Sequence, residues 1–332
     1  MEKINKFRPY LDYTIFGLLL ATVPLLVQWE LMRFAYLTLI AGVIIYAIVA
    51  LGLNLLMGYA GLVSLGTAGF MGVGAYLTAF FTQELGFTFL LSLVLTLVIT
   101  SILGIIVGLI SLRVQGFFLA MATLAISEIL RQVFIEFTGF TSGFAGQRAA
   151  FPDLFGFALT RNTTFLLLVV FLVVAMIVTH NFGSSYTGRA LSAMRGSEAA
   201  ASAMGVNIFK YKLIAFAVST AYAGLGGILY MHFIRFTFPN TWVFTLSLML
   251  FAAVVIGGVR SVAGTVIGAF VVFGAPDLIL ANLPVIGNIN GMPFIFTGVL
   301  IIVVVLYYPG GLVYIGHDVM KLIRKYVWRS PT

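Results

Sequence analysis

The chain has 332 residues, of which 61% are hydrophobic and 8% charged, with a net charge of +8 and no cysteine. Ordinary soluble domains carry about 25% charged residues, so a soluble globular fold is excluded, and the lack of cysteine excludes disulfides and thiolate-held metals. The basic residues are dispersed among short segments between apolar runs, so the charge reads as membrane orientation and not as a nucleic-acid surface.

Ten apolar runs near the length needed to cross a bilayer follow one another at 13–28, 34–56, 61–81, 88–111, 116–137, 163–180, 211–234, 242–258, 261–283 and 291–308. The first follows a basic tail, as a signal peptide would, but Gln28-Trp29-Glu30 is no small-residue cleavage site, so a retained helix is expected. Little polarity separates the second run from the third or the eighth from the ninth. No polar stretch is long enough for a separate soluble domain. The expectation is one transmembrane domain over 1–332, with a polar loop at 181–212 and a basic tail at 309–332. With the N-terminus inside, thirteen of the eighteen basic residues fall on the cytosolic side. Arg33, Arg148, Arg161 and Arg235 fall outside, and Arg131 lies within a span. That bias predicts both termini and the 181–212 loop in the cytosol.

Two segments are dense in glycine. GYAGLVSLGTAGFMGVGAY, Gly58 to Tyr76, opens the third span, and GGVRSVAGTVIGAF, Gly257 to Phe270, joins the eighth to the ninth. Each holds G-x-x-S, at Gly61–Ser64 and Gly258–Ser261, then a Gly-Thr pair, then Phe70 or Phe270. The pattern predicts two pseudo-repeated halves. Such glycine density means either close helix packing or helix breaks beside a substrate path. Ser64, Thr67, Phe70 and Ser261 are the candidate path residues of these segments.

The fifth span carries Glu128 and Arg131, three residues apart and able to share a face with Thr123, Ser127 and Gln132. They form either a polar wall beside the path or an internal ion pair fixing helix packing. In the second case, removing one partner costs about 3–5 kcal/mol. His180, His232 and His317 are isolated and expected at solvated helix ends, so no metal site is predicted. Asp277, toward the outer end of the ninth span, either lines an outer vestibule or sits near the headgroups beside Asn282.

Between Gly188 and Lys212 the chain reads GRALSAMRGSEAAASAMGVNIFKYK, a polar, basic, alanine-rich island. Ser197 can cap a short helix with Glu198 in its first turn and Gly205 just past its end. The helix would be about two turns, roughly 10 Å, long. It is either a grip for a soluble partner, with Arg195 and Glu198 offering polar contacts at its edge, or a solvated loop. Enzyme signatures such as H-E-x-x-H, a P-loop or a credible G-x-S-x-G are missing, so any ATP hydrolysis belongs to a separate partner.

Four stretches together resemble one family: Leu53–Tyr76, Gly116–Val133, Gly188–Asn207 and the closing P-x-G-L at Pro309–Leu312. From about Ala50 to Leu312 the chain is similar to the permeases of the branched-chain amino acid ATP-binding-cassette (ABC) importers, on the LivM side of the LivH/LivM pair. The resemblance implies an all-α polytopic membrane protein of the type II-like importer class, in a bacterial or archaeal cytoplasmic (inner) membrane. It implies alternating access with a LivH-like second permease, two cytosolic ATP-binding subunits and an extracytoplasmic substrate-binding protein. This chain then holds no cofactor, ATP and Mg lying on the ATPase subunits, and it meets membrane lipid. The resemblance makes Arg195, Ser197, Glu198, Ala199, Ala200 and Gly205 the ATPase-coupling helix. Four residues, not three, separate Glu198-Ala199-Ala200 from Gly205. Val63 and Thr67 stand where the family often has Gln and His, which leaves urea or short amides as alternative substrates. An ion-coupled secondary transporter or channel is the alternative outside the class, with Glu128 its one midplane acid.

Overall fold

Inside a bilayer, backbone groups are satisfied only within helices or closed barrels, and here the apolar runs become helices. A computed structural model describes residues 2–114, 116–154, 156–280, 291–308 and 310–313. The helices are α1 (Glu2–Ala21), α2 (Val23–Gln28), α3 (Phe34–Asn54), α4 (Thr67–Gln83), α5 (Phe89–Ser111), α6 (Phe117–Glu136) and α7 (Thr138–Thr141). After these come α8 (Arg161–Ser184), α9 (Tyr186–Gly196), α10 (Glu198–Ala203), α11 (Ile208–Ile234), α12 (Phe244–Gly257), α13 (Val262–Ala269), α14 (Ala275–Leu280) and α15 (Met292–Tyr307). π-Helical turns extend α3 over Leu55–Tyr59 and join α13 to α14 over Phe270–Gly274.

Helix falls on each of the ten predicted runs, and among the described residues seven helical stretches are long and apolar enough to cross a membrane. The helices on the remaining three runs are shorter: α4 has 17 residues, α12 has 14 and α15 has 16. The expected loop at 181–212 is instead largely helical, since α8 runs on to Ser184 and α9 and α10 follow. His317, Asn282 and the basic tail beyond residue 313 lie outside the described residues.

α11 is the centre of the bundle and packs on α3, α4 and α5. Small residues permit that packing. A Cβ on Gly74 of α4 would overlap the carbonyl of Gly224 on α11, and one on Gly227 would overlap the carbonyl of Met71. Helices that approach this closely trade side-chain volume for backbone contact. α12 and α13 pack in the same way, through Gly257, Gly264 and Gly268. Most glycines of the two dense segments are therefore packing surfaces, and one in each segment does something else.

Gly61 (φ +70°) and Gly258 (φ +107°), the first residues of the two G-x-x-S motifs, adopt left-handed backbone that a side chain would strain. Each breaks a helix. The expected third span therefore starts late: residues 60–66 are not helical, and α4 begins at Thr67. Apolar residues hide this break from a hydropathy reading. One amide of the break and two in the first turn of α4 are satisfied by hydroxyls borrowed from other helices. Leu65 N–H donates to Thr123 Oγ1 (3.0 Å), Ala68 N–H to Ser247 Oγ (2.9 Å) and Gly69 N–H to Ser127 Oγ (3.0 Å).

α3, at about 1.5 Å per residue, separates two ends of the molecule. At its start, Arg161 lies over the rings of Phe34 and Phe233. At the same end, β1 (Gln147–Arg148) pairs antiparallel with β4 (Phe236–Thr237), and β2 (Asp153–Leu154) with β3 (Phe157–Ala158). His232, expected at a solvated helix end, is buried here, and its Nδ1 donates to the Ala150 carbonyl at 3.1 Å. The 137–160 segment folds over the end of α11 and covers it. The other end of α3 carries the site described next.

Candidate functional site

α10 forms where its caps predict. The Ser197 side chain accepts from Ala200 N–H at 3.2 Å, and Ser197 itself is extended (φ −160°). Gly205 is left-handed (φ +83°), and the Gly205 and Val206 amides close the helix on the Ser202 and Ala201 carbonyls. Ala201 is buried against the body, while Ala199, Ala200, Ser202 and Ala203 are exposed. Met204 projects beside them, 85% exposed. The result is a smooth two-turn ridge with one flexible apolar side chain at its end.

Arg195 and Glu198 do not sit as free contacts at the edge of that ridge. The Glu198 carboxylate accepts from Lys212 Nζ of α11 at 2.6 Å, and Arg195 Nη1 donates to the Gly58 carbonyl in the π-turn of α3. Both are engaged within the chain, because the nearest unsatisfied groups are a buried lysine and the open carbonyls of a helix terminus. A cavity of about 400 Å³ lies between the start of α10 and the first helix break, lined by Met57, Gly61, Val63, Arg195, Ser197 and Glu198 among others.

The second break meets the first at the same place. Arg260 Nε donates to the same Gly58 carbonyl at 2.9 Å, and its Nη2 donates to Ser192 Oγ of α9 at 2.6 Å. Asn54, fully buried, accepts from Arg260 N–H (2.8 Å) and donates to the Ser261 carbonyl (3.3 Å). The closing P-x-G-L stretch joins them. Leu312 N–H donates to the Ile256 carbonyl at 2.8 Å, and Gly311 packs on Gly258. Sequence reading missed Asn54, Gly58, Arg260 and Lys212. The available signal was Asn54, the single amide side chain between Phe34 and Tyr59.

The six candidate path residues do not share one surface. Ser64, Thr67 and Phe70 are buried, facing Phe216, Ser219 and Thr220 of α11 around a void of only about 10 Å³. Ser261 caps α13 by accepting from Gly264 N–H at 3.0 Å. Glu128 and Arg131 do pair, Arg131 Nε meeting the two carboxylate oxygens at 2.9 and 3.0 Å, with Nη1 directed to Asn240 Oδ1 at 3.4 Å. The pair is not internal, however. The side chains are 51% and 20% exposed, on a face of α6 with Ile129, Gln132 and Val133. The interior of α6 is taken by Thr123 and Ser127, which hold the start of α4, so Glu128, the next residue round the helix, points outward and Arg131 reaches out to it. Among the described residues, no group of three or more His, Asp or Glu side chains is placed to hold a metal ion.

Residues 35–305 match the family described as "Branched-chain amino acid transport system / permease component". The chain is 30% identical over 303 residues to the high-affinity branched-chain amino acid transport system permease protein LivM of Salmonella typhimurium, covering 84% of this chain and 70% of that protein. It is 29% identical over 330 residues to LivM of Escherichia coli, covering 92% and 76%. It is also 27% identical over 167 residues to the ribose import permease protein RbsC of Haemophilus influenzae, covering 48% and 50%. No solved structure matches. A multi-pass helical chain with paired helix breaks, matched across most of its length, thus belongs to the permease family of the branched-chain amino acid transport systems.

Proposed function

We propose that this chain is the membrane-spanning subunit of an ABC importer that moves branched-chain or related amino acids into the cell. It works with a second permease, two cytosolic ATP-binding subunits that hold ATP and Mg, and an extracytoplasmic binding protein. The observation that carries the reading is α10: a capped, smooth, exposed helix at the end of the molecule where both helix breaks meet. An ATPase subunit grips the ridge of Ala199, Ala200, Ala203 and Met204. That end and both termini then lie in the cytosol of a cell bounded by a cytoplasmic membrane, in accord with the distribution of basic residues.

The exposed pair on α6 supports a path between subunits. An ion pair facing lipid is costly, so a charged face within a spanning helix faces water or another protein. Glu128 and Arg131 then border the path where the second permease closes it, and Ser64, Thr67, Phe70 and Ser261 act behind this wall by fixing α4 and α13. The named transport systems of the relatives, and the apolar character of most of the bundle, support apolar amino acids as cargo.

The test is reconstitution of the chain with its companion subunits in proteoliposomes and measurement of leucine uptake dependent on ATP and binding protein. Ala200→Arg sets a bulky charge on the ridge at an exposed site, so the membrane fold is retained, the ATPase subunits co-purify poorly and uptake falls. Wild-type association and uptake in this variant would refute the assignment of α10. Uptake driven by an ion gradient without ATP would make the chain a secondary transporter.

A further inference from the structure

Displacing α10 is of use to transport only if the movement reaches the helix breaks. Helix packing takes it to α9 and α11, which also touch the π-turn that ends α3. α10 packs chiefly on α9 and α11, and the cavity of about 400 Å³ separates its start from the first break. A pair of arginine side chains adds a polar link from α9 to both breaks. Arg195, at the end of α9, and Arg260, in the second break, donate to one carbonyl, that of Gly58 in the π-turn leading into the first break. Arg260 also reaches back to Ser192 on α9.

No carboxylate among the described residues lies within ion-pair distance of either guanidinium. Their countercharge is the end of α3 itself: its last carbonyls have no partner in the helix and carry about half a negative charge. The arrangement is rigid on both sides. A Cβ on Gly58 would meet Asn54 Oδ1 at 2.9 Å and Arg260 N at 3.1 Å, and one on Gly61 would meet Arg195 Cγ at 3.2 Å, so both glycines are closely packed against their partners. Arg260 is held in left-handed backbone (φ +72°), with its amide on Asn54 and its guanidinium over the Tyr59 ring at 5.5 Å.

We propose that Arg195 and Arg260 are positioning residues that carry the displacement of α10, through α9, to both helix breaks at once. The inference rests on the ABC-importer reading above. One carbonyl shared by two arginines makes the two breaks move together, which two separate contacts would not do. A guanidinium suits this use because its donors form a fixed fork that grips two acceptors in a set geometry.

The test uses the full reconstituted complex, with ATP hydrolysis and leucine uptake measured on the same vesicles. Arg260→Ala is expected to lower uptake per ATP hydrolysed about tenfold, the scale of one lost charge-assisted hydrogen bond, with the ATPase subunits still present in wild-type ratio. Ser192→Ala, which cuts only the link to α9, has the same effect in weaker form. Arg260→Lys, which keeps the charge but replaces the fork with a single nitrogen, restores part of the ratio. Arg195→Ala added to Arg260→Ala lowers the ratio by less than the product of the single effects, since both act on one acceptor. Spin labels at Ser202→Cys and Val63→Cys read the motion directly. Their separation is the same with and without ATP in the otherwise wild-type chain, and changes with ATP in Arg260→Ala. Uptake and hydrolysis falling in proportion, an unchanged ratio, or loss of the ATPase subunits from Arg260→Ala each overturns the inference. A wild-type complex that takes up nothing on ATP addition fails the importer reading and this inference with it. Normal wild-type uptake with an unaltered ratio in the variants fails this inference alone.

Discussion

Gly227→Ala is the sharpest test of how the bundle is packed. The new Cβ would overlap the Met71 carbonyl oxygen and stand 2.9 Å from both that carbonyl's carbon and the Ala75 amide nitrogen. All three are backbone atoms of α4 and cannot rotate away. Ordinary contact begins at 3.4 Å and the overlapped oxygen is nearer than either 2.9 Å atom, so α4 and α11 must part by roughly 1 Å. A gap of about 0.5–1 Å forfeits a quarter to a half of the dispersion energy across the contact. Overpacking usually costs about 1–3 kcal/mol. A purely backbone obstacle belongs near the top of that range. Alanine's better helix propensity returns about 0.8–1.0 kcal/mol, for a net loss of about 2 kcal/mol. The matched control is Gly42→Ala in α3, where a Cβ meets nothing within 4 Å and only the propensity gain remains. Thermal unfolding of the purified protein in detergent, followed by loss of monodisperse material, should place Gly227→Ala roughly 3–6 °C below wild type and Gly42→Ala at or slightly above it. Equal shifts for the two variants would show that the reasoning from helix approach is wrong.

Glu128→Gln should change stability by less than about 1 kcal/mol, as for an exposed ion pair, while lowering uptake in the reconstituted complex. A loss of 3–5 kcal/mol would restore the internal pair instead. Because the chain has no cysteine, single cysteines at Ser202 and at Phe144, both exposed, can be labelled cleanly in intact cells. A membrane-impermeant thiol reagent should reach Phe144→Cys from outside and Ser202→Cys only after permeabilisation, and equal reaction at both refutes the topology.

Features set by neighbouring residues in sequence were legible. The ends of α10 follow from Ser197 and Gly205, because a cap is a local bargain between one side chain and the next few amides. The repeated G-x-x-S motif had a single backbone meaning, a left-handed glycine opening a helix break, although sequence alone could not separate that from packing. Features set by distant residues were not legible. Whether Glu128 faces in or out depends on Thr123 and Ser127 taking the inner face of α6. Glu198 and Arg195 are engaged within the chain because Lys212 and the Gly58 carbonyl await them, and the Asn54–Arg260 bond joins residues 206 apart. His232 was misread for the same reason: the 137–160 segment that covers it announces itself by neither hydropathy nor motif. Phe70 and Phe270, paired in the repeat, diverge, one buried and the other 43% exposed, since the repeat governs backbone and not surroundings.

The first helix break also constrains how the protein is made. Ala68 and Gly69 are capped by Ser247 and Ser127, residues synthesised later; Ser247 lies 179 positions downstream. At about 5–20 residues per second, Ser247 follows Ala68 by roughly 9–36 s. For that interval the Ala68 amide lacks its hydroxyl partner, and a bare amide is not tolerated in hydrocarbon. The nascent α3–α4 hairpin must therefore wait in a watery or proteinaceous shelter, and enters lipid only as α6 and then α12 arrive. The break thus fixes the order in which the helices of the finished molecule assemble.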